Sequence, residues 1–317
     1  MSSSGDAEHR KRCAPATQWV LGDVTISYRC RLRCGFALGL LLVLILSGCA
    51  MRPQENWHDV PPDRPTPAAT LLAEQARQIF NGAGDAQGLR AAIAAHEQVL
   101  AVNPGDYQVL SALSTQHILL GTAYTSGRRN KSRHFLTAMD YAERAMYSNQ
   151  AFREQVAAGT PLWDAVELLE ADQIEAMFFW VKALHYQFKE GLTLVGKIAN
   201  VRWMEHGLKV LDRIVEIDSD FGGGGVEFAR AISYEVMPRR WGGSSELADT
   251  YMQQAVEAHP DWLLPRWARG RYYYVIRGEA EKSQADLAWV ASRNPRDFTD
   301  PDPWKRFFQA DAGSLLP

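Results

Sequence analysis

The chain has 317 residues, with 34 Lys+Arg against 37 Asp+Glu and a formal net charge of −3. A mildly acidic chain without a basic stripe is a poor match for nucleic acid, and it offers anionic lipid little beyond a covalent anchor. The cysteines are Cys13, Cys30, Cys34 and Cys49, so the long remainder of the chain can build neither a disulfide framework nor a cysteine metal site.

In chain order, Arg29, Arg31 and Arg33 precede an uninterrupted apolar run from Gly35 to Ser47. That run is short for a bilayer span and has the length of a secretory h-region. It ends in Leu46-Ser47-Gly48-Cys49, which resembles the bacterial lipobox. The resemblance makes Cys49 the first mature residue, carrying diacylglycerol and an N-acyl group, with no other cofactor expected. A plain membrane anchor or a buried core helix accounts less well for the basic flank and the small-small-Cys ending. The roughly thirty residues before the basic flank exceed an ordinary n-region and read as an overlong gene start. Removing residues 1–48 takes away six basic and three acidic residues, leaving 28 against 34 and a mature charge of −6.

Residues 49–67 contain Pro53, Pro61, Pro62, Pro65 and Pro67 and show no apolar periodicity, so they read as a lipidated, semi-rigid tether. Residues 68–317 then form the folded domain. Its helix endings repeat: "AAIAAHEQVLAVNP" to Pro104, "GLKVLDRIVEIDS" to Ser219, "LADTYMQQAVEAHP" to Pro260 and "SQADLAWVASRNP" to Pro295. Small or apolar residues recur at one helical spacing: Ala92, His96 and Val99; Gly207, Leu211 and Ile214; Ala248, Met252 and Ala255; Ser283, Leu287 and Val290. Each set places one stripe against a neighbouring helix, and the prolines prevent the helices from continuing. Partner helices are predicted over 70–83, 171–189, 225–237 and 264–277. The segments 107–125 and 132–148 supply another pair, with Ala138, Ala142 and Ala145 at repeat-like positions.

The pattern resembles the tetratricopeptide repeat, a pair of helices about 34 residues long. His96 and Ser283 depart from its residue preferences. The expected fold is all-α, a tetratricopeptide-like helical-repeat solenoid of four to five helix pairs with insertions; a helix bundle without superhelical stacking is the structural alternative. One insertion is "TPLWDAVELLEAD", where Thr160 is predicted as N-cap and Pro161 as the first helical residue. The other, "KEGLTLVGKIANV", contains Gly191 to Ile198, close to a phosphate loop. Ile198 replaces the magnesium-binding hydroxyl, and the preceding "ALHYQFKE" reads as helix where the motif needs a strand, so Lys197 is read as a solvated charge.

No catalytic constellation emerges. The histidines are scattered without metal-ligand spacing and read as surface or packing residues, no serine sits in a nucleophile elbow, and no metal is expected. Near the C-terminal third, "DSDFGGGG" reads as a positive-φ turn, and "MPRRWGG" breaks the chain again before Ser244 or Ser245 caps a helix.

These stretches, with "VEFARAISYEV" and "LADTYMQQAVEAHP…RGRYYYV", resemble the T component (TatT-like) of tripartite TRAP transporters, over about residues 135–292. The segments "GEAEKSQADLAWV" and "DPDPWKRFFQADAGSLL" fit that pattern only loosely. The resemblance implies a non-enzymatic, lipid-anchored protein of the bacterial envelope facing the periplasm, and Ala50 after the cysteine, in place of the aspartate associated with inner-membrane retention, favours the outer membrane. It further implies a homotrimeric assembly, docking of a periplasmic solute-binding protein (the TRAP P component), and a pocket for a hydrophobic ligand. In tetratricopeptide arrays the concave face takes fixed positions of each first helix, which here points to Glu74, Arg77 and Asn81, then Arg230 and Ser233, and Tyr272. Arg and Tyr on such a face suit partner recognition, although solvated helix faces would look the same. Two other readings stand beside this one: an outer-membrane adaptor for envelope assembly, secretion or pilus biogenesis, and a small-ligand carrier or enzyme with an aromatic pocket.

Overall fold

The computed structural model describes Met51 and residues 61–317. The lipobox, Cys49 and most of the proline tether therefore lie outside the described residues. Among the described residues every regular element is a helix, and none is long and apolar enough to cross a membrane.

The first hairpin is α1 (Pro67–Gly82) and α2 (Ala86–Val102). Thr66 caps α1 by accepting from the Ala69 amide, with Pro67 at the first turn where its missing N–H costs nothing. Asp85 caps α2, which stops at Asn103 ahead of Pro104. The end of the proline segment is held against this hairpin: Asn103 accepts from the Arg64 amide at 3.0 Å and donates to Asp63 at 2.7 Å.

The second hairpin, α3 (Tyr107–Ala123) and α4 (Arg128–Met146), packs on α2 and presents Ala138, Ala142 and Ala145 inward as the alanine spacing predicts. The insertion becomes α5 (Gln150–Ala157), a four-residue α6 (Leu162–Ala165) and two 3₁₀ turns. Thr160 is not the N-cap. Pro161 holds that place, while the Thr160 hydroxyl accepts from Gln155 at 3.1 Å. Only one helical turn follows, so a single side-chain contact with the preceding helix outweighs the cap.

Next come α7 (Ile174–Tyr186), a π-helical turn Gln187–Gly191, α8 (Leu194–Asn200) and α9 (Trp203–Ile217). Helix α7 lies against α3, α4 and α9, with Trp180 fully buried and donating to Glu143 at 2.9 Å. Thr193 caps α8 through the Gly196 amide, so the phosphate-loop look-alike is an ordinary N-cap at the end of a helix. The buried Asn200 accepts from the Met51 amide at 2.6 Å.

The third hairpin, α10 (Gly225–Val236) and α11 (Ser245–Ala258), is entered through Gly222, Gly223 and Gly224, all at positive φ. A Cβ on Gly224 would meet the Ala255 carbonyl oxygen at 2.6 Å and Pro265 Cγ at 2.7 Å. Both backbone and space demand glycine there. Gly224→Ala is expected to lower stability by about 2 kcal/mol; a urea midpoint within error of the parent would refute this. Ser244, rather than Ser245, caps α11.

The last hairpin opens as one helix interrupted by a π turn: α12 (Leu264–Ala268), Arg269–Tyr273 and α13 (Tyr274–Arg277). It packs on α14 (Ala280–Ala291), and the buried Ser283 hydroxyl donates to the Gly270 carbonyl at 2.7 Å within that turn. Ser283, the residue that departs from the repeat pattern, thus satisfies a carbonyl displaced by the bulge. The final helix α15 (Asp302–Ser314) was not separated out by periodicity. It returns to the start of the domain, touching α1, α3 and α12. Trp304 donates to Thr115 at 3.1 Å across 189 residues, and Arg306 donates to the Asn81 and Ala83 carbonyls.

Candidate functional site

A cavity of about 370 Å³ lies between α7, α10 and α12. That size falls within the usual range of ligand pockets, roughly 300–1,000 Å³. Helix α7 contributes Phe178, Lys182, His185 and Tyr186, and the π turn after it adds Phe188 and Lys189. Phe228, Ala229, Ile232 and Val236 of α10 form the opposite wall. Leu264 and Trp267 of α12, with Tyr272 in its π turn, close the end. Both π turns therefore border the cavity, the first through Phe188 and Lys189 and the second through Tyr272. Lys197 and the exposed Ile276 edge it, and Leu194 and Ile198, on the same short helix as Lys197, are exposed as well.

Aromatic packing makes this wall rigid. Trp267, 1% exposed, meets Tyr272 edge-on at 5.3 Å and Phe308 at 4.5 Å, and its indole N–H donates to Asp311 at 2.9 Å. Gly225 lets Phe178 approach: a Cβ there would lie 2.6 Å from the ring. Phe178, Lys182 and Leu264 also line a second cavity of about 220 Å³ that reaches Trp304 and Asp300. The two spaces share one partition.

The polar groups on the partition are unusual. Burial lowers the Lys182 ammonium to about 7, with the Asp300 charge acting in the opposite direction. Its Nζ stands 3.6 Å over the Trp304 ring. Lys189 is exposed, and its Nζ lies 3.1 Å from the Tyr272 ring centre. His185 is pushed down to about 4 by burial and shares a 3.0 Å hydrogen bond with Ser233. It is therefore neutral at ordinary pH. Asp300, itself buried, accepts from the Leu263 and Leu264 amides at 2.7 and 3.2 Å and so caps α12.

Of the residues predicted to face a partner, Tyr272 lines the cavity, and Ser233 is buried behind it on His185. Arg230 lies elsewhere, joined to Asp212 at 2.7 Å and to the Tyr251 hydroxyl at 3.0 Å. Arg77 and Asn81 are exposed on α1, Arg77 paired with Glu74 at 2.5 Å. The set does not converge on one place. Lys182, His185 and Lys189 were missed as a group, although "KALHYQFK" carries them at helical spacing on an otherwise apolar helix. Lys197 is half-buried at the cavity edge rather than free in solvent. Among the described residues no cluster of three or more His, Cys, Asp or Glu could hold a metal ion.

No protein-family model matches the chain, and no curated protein matches it.

Proposed function

We infer that this is a non-enzymatic, lipid-anchored envelope protein that holds an apolar solute and serves a TRAP-type solute-binding partner in import. The helical hairpins are read as a tetratricopeptide-like array. The observation that carries the reading is the cavity of about 370 Å³, walled by aromatic and branched side chains. Such a space with few polar groups suits a small apolar ligand. The resemblance to TRAP T components supplies the partner, anchoring through Cys49 supplies the location, and homotrimeric assembly belongs to the same reading.

Two measurements test it. Native mass spectrometry of protein purified from membranes should detect a bound apolar small molecule. Crosslinking of native membranes, with capture through a C-terminal tag, should recover a periplasmic solute-binding protein. Protein that purifies empty and brings a secretion or assembly machine instead would make it an envelope adaptor and end the transport reading.

A further inference from the structure

Helix α8 is built inside out. Leu194, Val195 and Ile198 are 75%, 44% and 65% exposed, and Ala199 beside them is exposed as well. The side turned into the domain holds Gly196 and Asn200. A surface helix ordinarily buries its branched residues and shows its polar ones to water. Here the polar side is fixed inward by its own hydrogen bonds: Asn200, 1% exposed, donates to the Gly196 carbonyl at 2.7 Å and accepts from the Met51 amide at 2.6 Å. Residues at i, i+1, i+4 and i+5 share one helix face, so the four apolar side chains make a continuous patch rather than scattered exposed residues.

The bond to Met51 says what covers that patch. Cys49 lies two residues before Met51, a reach of about 7 Å of fully extended chain. Helix α8, seven residues long, spans about 10 Å. Acyl chains on Cys49 therefore enter the bilayer within roughly one helix length of the exposed face. The segment after Cys49 leaves no slack between anchor and domain, because Met51 is held at Asn200 and Asp63 and Arg64 are held at Asn103. Charge agrees with this placement. Between Thr193 and Arg202 the charged residues are Lys197 and Arg202, both basic, and Arg202 approaches Glu205 only at 3.8 Å. The chain as a whole is acidic, so this short basic and apolar stretch is a local exception suited to an anionic lipid surface.

We propose that α8 is a membrane-contact helix, with Leu194, Val195, Ile198 and Ala199 resting in the bilayer interface beside the acyl chains and Lys197 and Arg202 at anionic headgroups. This rests on acylation of Cys49, as inferred above, and adds the surface on which the domain lies. An interfacial apolar face sinks about 5–10 Å into the headgroup boundary. The acyl chains supply the attachment and hold α8 at high local concentration against the lipid, so seven residues suffice to set the orientation of the domain without binding on their own.

The experiment uses the full chain, processed and acylated in a bacterial host and reconstituted into vesicles of phosphatidylethanolamine and phosphatidylglycerol. Once Cys49 carries its lipid and residues 1–48 are gone, Ile198→Cys is the single free thiol and takes an environment-sensitive fluorophore. The same label at Gln254→Cys, on the exposed side of α11, is the reference. Spin-labelled lipid should quench the probe at 198 about threefold more strongly than the probe at 254, with a blue-shifted emission at 198 only. Leu194→Asp, at an exposed position, should reduce that difference. Equal quenching at the two positions overturns the membrane contact and leaves the anchor standing. A blue shift at 198 that spin-labelled lipid does not quench means that a second protein surface covers α8, and overturns the proposal as well. If the intact mass of the mature chain shows no acyl groups, the anchoring reading itself falls and takes this one with it.

Discussion

Replacing Trp267 with alanine is expected to lower unfolding free energy by about 4 kcal/mol, within the range for deleting a buried tryptophan. Trp267 is 1% exposed and joins the α12 hairpin to the C-terminal helix through Phe307 at 5.4 Å and Phe308 at 4.5 Å. The loss has two parts. Most of it is packing, because the surrounding rings belong to two different segments, the π turn and α15, and cannot close the hole together. The remainder is the indole bond to Asp311, an acceptor that Arg271 also serves at 3.1 Å. Trp267→Phe should separate them: it retains a ring and loses the N–H, costing about 1–2 kcal/mol. Denaturant unfolding of parent and variants measures both, and equal losses for Phe and Ala would show that the hydrogen bond, not packing, dominates.

Much of the fold is legible because these helices bury the stripe that their residue spacing marks. Ala92, His96 and Val99, then Leu211 and Ile214, and Ala248, Met252 and Ala255 are all buried, as their spacing predicts. A local period reports which face is apolar, and a proline or glycine reports where the helix stops. Neither reports what the face meets. The return of α15 to α1 and α3 depends on contacts such as Trp304 with Thr115, 189 residues apart, so no local window contains it. The π turns at Gln187–Gly191 and Arg269–Tyr273 were hidden for a related reason. Each changes the register by one residue after helical spacing has already assigned the faces.

The candidate site shows the same division more sharply. Tyr272 is reached by offsets taken from the tetratricopeptide pattern, and it lies within the π turn Arg269–Tyr273 on the cavity wall. Lys182 sits on a helix whose pattern alone would allow a snorkelling lysine at a solvent edge. Only the placement of Trp304 beside it turns that lysine into a half-buried cation over an aromatic ring. Arg230 illustrates the converse. Its offset marks it as partner-facing, yet its guanidinium is occupied by Asp212 and Tyr251 within the fold.

Acidification should weaken the fold markedly between pH 7.5 and pH 5. Burial holds His117 and His185 each down to about 4, from 6.5 when unfolded. A depressed imidazole contributes stability that is fully present above 6.5 and is lost as pH falls towards 4, because the unfolded chain then binds protons that the native state refuses. At pH 5 this amounts to about 2 kcal/mol for each residue, or about 4 kcal/mol for the pair. The local geometry agrees: His117 Nδ1 lies 3.2 Å from His134 Nδ1, a hydrogen bond that requires one nitrogen to lack its proton. Asp140 works in the opposite sense. Burial raises its carboxyl to about 6, so protonation between pH 6 and 3.8 favours the native state and offsets part of the loss. Urea midpoints at the two pH values should therefore drop steeply for the parent and much less for a His117→Gln, His185→Gln double variant. The variant starts from a lower midpoint at pH 7.5 if Ser233 loses its partner, so the slope with pH, rather than the midpoint, is the quantity that decides. An unchanged slope would mean that these two imidazoles are hydrated in solution and that the acid sensitivity lies elsewhere.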